Sequence, residues 1–132
     1  MAQLQCIVVT PEATVLNEQV DFVALPLYDG EIGFAPARAP MIGRLGYGEL
    51  RLHAGGQTRR FYVDGGFVQV AANVVSVLTK RATPAASVDA QVAAEHLAEA
   101  RRRPPSSDES FAARARLEQQ ARAQMRVAAR AK

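Results

Sequence analysis

Short apolar runs, many alternating with polar positions, recur through residues 1–84 at the two-residue period of a strand. The pattern predicts strands over residues 4–10, 19–27, 48–53, 58–64, 67–71 and 74–80. Turn signals separate them: Asp29-Gly30, Gly55-Gly56, Asp64-Gly65-Gly66 and Ala72-Asn73. In Glu49-Leu50-Arg51-Leu52-His53 the leucines alternate with polar groups, as expected of a strand with one wet face. Phe61 and Val63 share a face on the strand after Gly55-Gly56. Many short strands without an intervening helical period predict an antiparallel β-sandwich or barrel of about 85 residues.

Beyond Pro84 the pattern changes. All nine glycines precede residue 67, and Ala, Arg, Glu and Gln, good helix formers, dominate the rest. A first helix is predicted over about residues 87–102, capped by Ser87 with Asp89 in its first turn. Arg101-Arg102-Arg103 suits its C-terminus, and Pro104-Pro105 breaks it. Ser106 and Glu109 form a candidate capping box for a second helix over residues 107–130. Ala93, Leu97 and Ala100 make a narrow stripe on the first helix; Ala113, Leu117, Ala121, Met125 and Ala128 make one on the second. The chain thus reads as a sandwich domain, residues 1–84, followed by an antiparallel two-helix hairpin, residues 87–132. Alanine stripes bury little area, so the hairpin is expected to be weakly held and suited to moving or meeting a partner.

Composition narrows the chemistry. The chain has 132 residues, 48% of them apolar and 22% charged, which is enough for a real core. Residues 1–86 carry seven basic and seven acidic groups, whereas residues 87–132 carry nine and six, the whole of the +3 net charge. No run approaches the roughly 18–20 apolar residues of a membrane span. No basic region precedes an apolar segment at the start, so a secretory signal is not expected and the cytosol is. A single cysteine, Cys6, excludes an internal disulfide, and with only His53 and His96 beside it a zinc site is not expected. Cys6 reads as a buried small hydrophobe, His53 as a solvated or hydrogen-bonded edge residue and His96 as a helix-surface residue. The stretch Gly43-Arg44-Leu45-Gly46-Tyr47-Gly48 precedes a strand pattern, not a helix; it reads as turns between strands and not as a phosphate loop. No nucleophile has a base beside it, so no catalytic residue and no enzyme are expected. The helix arginines suit a solvated surface, an acidic protein partner or a nucleotide phosphate. Nucleic acid fits less well, because the helices lack stacking aromatics.

The turn residues then carry a likeness. Asp29-Gly30-Glu31-Ile32-Gly33-Phe34-Ala35-Pro36-Ala37-Arg38-Ala39-Pro40 resembles the Gly/Pro-rich signature of the epsilon subunit of bacterial F-type ATP synthase. Gly48-Glu49-Leu50-Arg51, the run from Phe61 through Val70, and Asn73-Val74-Val75-Ser76-Val77-Leu78 resemble the later strands of that family. Many members carry His where this chain has Arg38, which replaces a titratable group with a permanent cation.

The resemblance implies a noncatalytic rotor subunit on the cytoplasmic side of the plasma membrane, peripheral to it through the complex. The sandwich would pack on the gamma subunit and the c-ring, coupling proton-driven rotation to ATP synthesis. The hairpin would restrain ATP hydrolysis at the catalytic beta subunits, whose acidic C-terminal segment suits these arginines. Glu31, Arg38, Met41 and Ile42 are the implied c-ring contacts. Phe67, Val68, Val70, Val75 and Val77 are candidates for gamma, because apolar residues occupy both faces of those strands. Asp89, Arg114, Arg122 and Arg126 are candidate regulatory residues of the hairpin. Some family members bind ATP there through an I/L-D-x-x-R-A motif. Val88-Asp89-Ala90-Gln91-Val92-Ala93 keeps the aspartate and last alanine but has Val92 in place of arginine, so ATP binding is expected to be weak or absent even though Arg122 and Arg126 lie one turn apart. The alternative is a free-standing adaptor or nucleic-acid-binding module using the basic hairpin.

Overall fold

The computed structural model describes residues 3–102 and 107–130. Eight strands are followed by a short 3-10 turn and two helices: β1 (Leu4–Val9), β2 (Thr14–Val20), β3 (Phe22–Leu27), β4 (Gly30–Phe34), β5 (Met41–Ala54), β6 (Gln57–Ala71), β7 (Val74–Leu78), β8 (Ala82–Pro84), the turn Ala85–Ser87, α1 (Ala90–Arg102) and α2 (Asp108–Arg130). The strands form one continuous sheet in the order β2-β1-β7-β6-β5-β3-β4, with β8 also paired to β6. It wraps around an apolar core to which β1–β7 all contribute, from Leu4, Leu16, Val23 and Phe34 to Leu50, Phe61 and Val77. All ladders are antiparallel except β1 with β7, which run parallel, a departure from the wholly antiparallel expectation.

The long strands β5 and β6 explain most of the differences from the sequence pattern. They pair from Met41↔Val70 to Ala54↔Gln57, around a hairpin at Gly55-Gly56. Gly65 and Gly66, expected as a turn, lie inside β6 at φ 72 and 112, backbone that L side chains rarely adopt. A Cβ on Gly66 would lie 1.9 Å from the Leu78 carbonyl oxygen, so only glycine fits there. At this bend the inward parity of β6 switches: Phe61 and Val63 face the core before it, Val68 and Val70 after it. β5 makes the matching switch between Leu45 and Leu50, so Gly43–Gly48 are strand and not turns. One pair of strands thereby serves both layers of the sandwich.

The hairpin starts later than its sequence suggests. Asp89, not Ser87, caps α1: its Oδ1 accepts from the backbone N–H groups of Gln91 (2.9 Å) and Val92 (3.2 Å), while Ser87 belongs to the 3-10 turn. At α2, Ser107 and Ser110 cap reciprocally, each hydroxyl accepting from the other's backbone N–H. Arg103, Pro104-Pro105 and Ser106, on which the expected helix break and capping box rest, lie outside the described residues. The stripes bury Ala93 and Ala100 on α1 and Ala121 and Ala128 on α2, while Leu117 stays exposed. α1 packs on α2, and α2 alone makes the extensive contact with β5, β6 and the 3-10 turn.

Candidate functional site

The hairpin and sandwich meet along one seam. On the sandwich side stand Tyr47 and Glu49 of β5 with Tyr62 and Asp64 of β6, the positions that alternate with core-facing Leu50, Phe61 and Val63. Tyr62 is fully buried, packed with Ala85, Ala123 and Val127, with Tyr47 and Val88 at the edge. The face of β5 expected to be wet is therefore covered where α2 crosses it, and Glu49 is buried with only 4% of its side chain accessible.

Polar contacts flank this apolar patch on both sides. At one end Gln120 Nε2 of α2 donates to Asp64 Oδ1 (2.9 Å), which also accepts from the Tyr62 hydroxyl (3.1 Å). The side chain of Gln124 reaches the same hydroxyl, and the Arg81 guanidinium lies 5.4 Å from the Tyr62 ring centroid. Burial first, and the Asp64 charge second, hold the Tyr62 phenol above the usual tyrosine range. At the other end, three guanidiniums converge on Glu49 Oε1: Arg60 at 2.9 Å, Arg51 at 3.6 Å and Arg130 of α2 at 3.7 Å. Glu49 Oε2 is buried without a hydrogen-bond partner among the described residues. Here a cleft of about 250 Å3 opens between β3–β5 and α2, lined among others by Glu31, Tyr47, Glu49, Arg126 and Arg130.

The expected site residues fall into separate places. Glu31 lines the cleft and pairs with Arg51 at 2.9 Å. Arg38 stacks over Phe34 at 5.4 Å, Met41 is half-buried and Ile42 is 74% exposed. The gamma-facing set needs correction. Val68, Val70, Val75 and Val77 are core residues and offer no docking surface: the switch at Gly65-Gly66 turns Val68 and Val70 inward, opposite Val77 and Val75 of β7. The outward apolar residues are Phe67 (59% exposed) and, directly opposite it on β7, Leu78 (56%). Arg44 lies opposite Phe67 on β5, with its guanidinium over the Tyr28 ring, so Tyr28, Arg44, Phe67 and Leu78 form a row across the sheet. In the hairpin, Asp89 is used as a helix cap. Arg114 and Arg122 both pair with Glu118 (3.1 and 3.7 Å), while Arg126 lines the cleft.

Glu49, Tyr62, Asp64, Gln120 and Arg130 were not singled out from sequence. A usable signal was the run Phe61-Tyr62-Val63, three bulky apolar residues in succession, which one buried face cannot absorb. Cys6 is buried, and desolvation, followed by the Glu18 charge, pushes its thiol up to about 12, so it is no nucleophile. His53 takes part in a hydrogen bond between Nδ1 and the Thr58 hydroxyl (3.0 Å), and His96 is exposed. Among the described residues no three His, Cys, Asp or Glu side chains cluster to hold a metal.

Comparison with known proteins places this geometry. Residues 3–85 match the family described as ATP synthase, Delta/Epsilon chain, beta-sandwich domain. The chain is 49% identical over 124 residues to an ATP synthase epsilon chain of Rhodopirellula baltica, covering 94% of this chain and 97% of that one. It is 42% identical to one from Granulibacter bethesdensis, covering 76% and 75%. Among solved structures, a chain of the Euglena gracilis mitochondrial ATP synthase (OSCP/F1/c-ring) is similar at a TM-score of 0.82 and 26% identity, over 100% of this chain and 83% of that chain. A chain of the Tetrahymena thermophila mitochondrial ATP synthase shares the fold at a TM-score of 0.77 and 13% identity, over 96% of this chain and 97% of that chain. Nothing in these likenesses supports the adaptor or nucleic-acid reading.

Proposed function

Because the chain belongs to the family of ATP synthase epsilon chains, we propose that it works as a rotor subunit whose sandwich is fixed to its neighbours while its hairpin docks on and leaves the sandwich. It is a noncatalytic subunit of the central stalk. No helix among the described residues is long and apolar enough to cross a membrane, and as part of F1 the chain is peripheral to one; we place it on the cytoplasmic side of the plasma membrane.

One observation carries this reading: the core that folds the sandwich contains no residue of either helix, whereas the hairpin seam rests on Tyr62, Ala85, Ala123 and Val127 with a few polar contacts. A rigid sandwich suits torque transmission, and a small separable seam suits a regulatory element. The row Tyr28, Arg44, Phe67 and Leu78 is the surface we assign to gamma. Arg38, Met41 and Ile42, with half-exposed Glu31, are the residues we assign to the c-ring. The exposed helix arginines meet the catalytic beta subunits and restrain hydrolysis. ATP binding on the hairpin is weak or absent in this reading, because Val92 stands where the motif has arginine, Asp89 is engaged as a cap and Glu118 holds Arg122.

Gel filtration with gamma tests the assignment. A stable one-to-one complex is expected; separate elution of the two proteins overturns it.

A further inference from the structure

Glu49 is an unusual acceptor, because its charge is compensated from two sides. Arg60 and Arg51 come from β6 and β5 and belong to the sandwich itself, whereas Arg130 comes from the last turn of α2. A buried carboxylate that lost its one cationic partner would be strongly destabilised. Glu49 would not be, because Arg60 remains at 2.9 Å when α2 departs. Its second oxygen, Oε2, is buried and unpartnered among the described residues, and Glu49 lines the cleft together with Arg126 and Arg130. Arg130 is more than half exposed and only 3.7 Å from Oε1, so its guanidinium can close on this acceptor or leave it without repacking a core.

We propose that Glu49 and Arg130 form a salt-sensitive latch: the buried carboxylate that Arg60 and Arg51 keep ionised on the sandwich also holds the C-terminal end of α2, and screening of the Arg130 pair loosens that end. Arg130 also sits where a helix C-terminus favours a cation. The latch rests on the reading that the hairpin docks on and leaves the sandwich, and it operates in the isolated chain whether or not the released hairpin reaches a catalytic subunit.

Amide hydrogen exchange on the full chain tests it, in the wild type, Glu49→Gln, Arg130→Gln and the double variant. Each single substitution is expected to speed exchange in the second half of α2 about threefold to tenfold, with Val68 and Val75 amides unchanged. The double variant should exchange no faster than the faster single variant, because both changes remove one interaction. Raising salt from about 0.05 to 0.5 M should speed exchange at the C-terminal end of α2 more in the wild type than in Arg130→Gln, which keeps the Arg114 and Arg122 pairs with Glu118. Additive effects of the two substitutions, or unchanged exchange in Arg130→Gln, overturn the latch. If Glu49→Gln perturbs the sandwich, Arg130→Gln and its salt response decide alone.

Discussion

Gln120 of α2 donates from Nε2 to Asp64 Oδ1 of β6 across 2.9 Å, joining residues 56 positions apart in the chain. Asp64 is itself held in place, its backbone N–H donating to the Arg81 carbonyl and the Thr79 hydroxyl, both at 3.1 Å. The acceptor is thus rigid and the donor rides on the movable element. A hydrogen bond to a charged group contributes about 1.5–3 kcal/mol. Gln120→Ala should therefore weaken docking of α2 by about tenfold or more, read as faster amide exchange in α2 with the sandwich amides unaffected. Unchanged α2 protection would exclude Asp64 as an anchor.

The core of the sandwich is built from strand residues alone, from Leu4 to Val77. Residues 1–84 expressed without the hairpin should fold cooperatively and unfold in urea with a single transition. Tyr62 then becomes accessible, and its fluorescence should be quenched by acrylamide more strongly than in the full chain. A fragment without strand signal in circular dichroism would show that α2 is part of the folding unit.

The opposed residues Phe67 and Leu78 differ sharply from their inward neighbours Val68 and Val77. Phe67→Glu and Leu78→Glu should leave the fold within about 0.5 kcal/mol of wild type, as surface changes do, while weakening the complex with gamma. Val68→Glu should unfold the sandwich, because it buries an unpaired charge. Wild-type affinity for gamma in both surface variants would move the interface elsewhere.

Cys6 ties stability to alkaline pH. Its thiol is raised from 9.0 to about 12 in the folded chain, so above the unfolded value the unfolded chain gives up its proton first. The contribution is fully present below pH 9.0 and is lost as pH rises toward about 12. By pH 10 about 1.4 kcal/mol of stability should be gone relative to Cys6→Val. Urea midpoints of the two proteins at pH 8 and pH 10 give this difference directly; parallel behaviour would mean that the thiol ionises in place.

Titration calorimetry of ATP into the full chain, with and without magnesium, should show no micromolar binding. Arg126→Ala should not alter the traces. Micromolar affinity abolished by that substitution would mean that Arg126 and its neighbours compensate for Val92.

Local patterning made much of this legible. The alternation of Leu50 and Leu52 with polar neighbours, the hairpin at Gly55-Gly56 and the loss of glycine after residue 66 identify a strand-rich module followed by two helices. Those features act over a few residues, and their physical basis is local: side-chain period, turn conformation and helix propensity. Asp64-Gly65-Gly66 misled because a pair of positive-φ glycines can bend a continuous strand as readily as reverse it, and only the Leu78 carbonyl beside Gly66 selects the bend.

By itself, the sequence determined the two modules, their order, the weak amphipathicity of the hairpin and the absence of an evident catalytic constellation. Tertiary structure alone decided which face each residue meets. It turned Val68 and Val70 inward and Phe67 outward, covered the polar face of β5 at Glu49, and drew Arg51, Arg60 and Arg130 to one carboxylate. The reason is physical: the parity of a bent strand and the landing place of a helix depend on packing between residues distant in sequence, where one residue's burial is set by another element's approach.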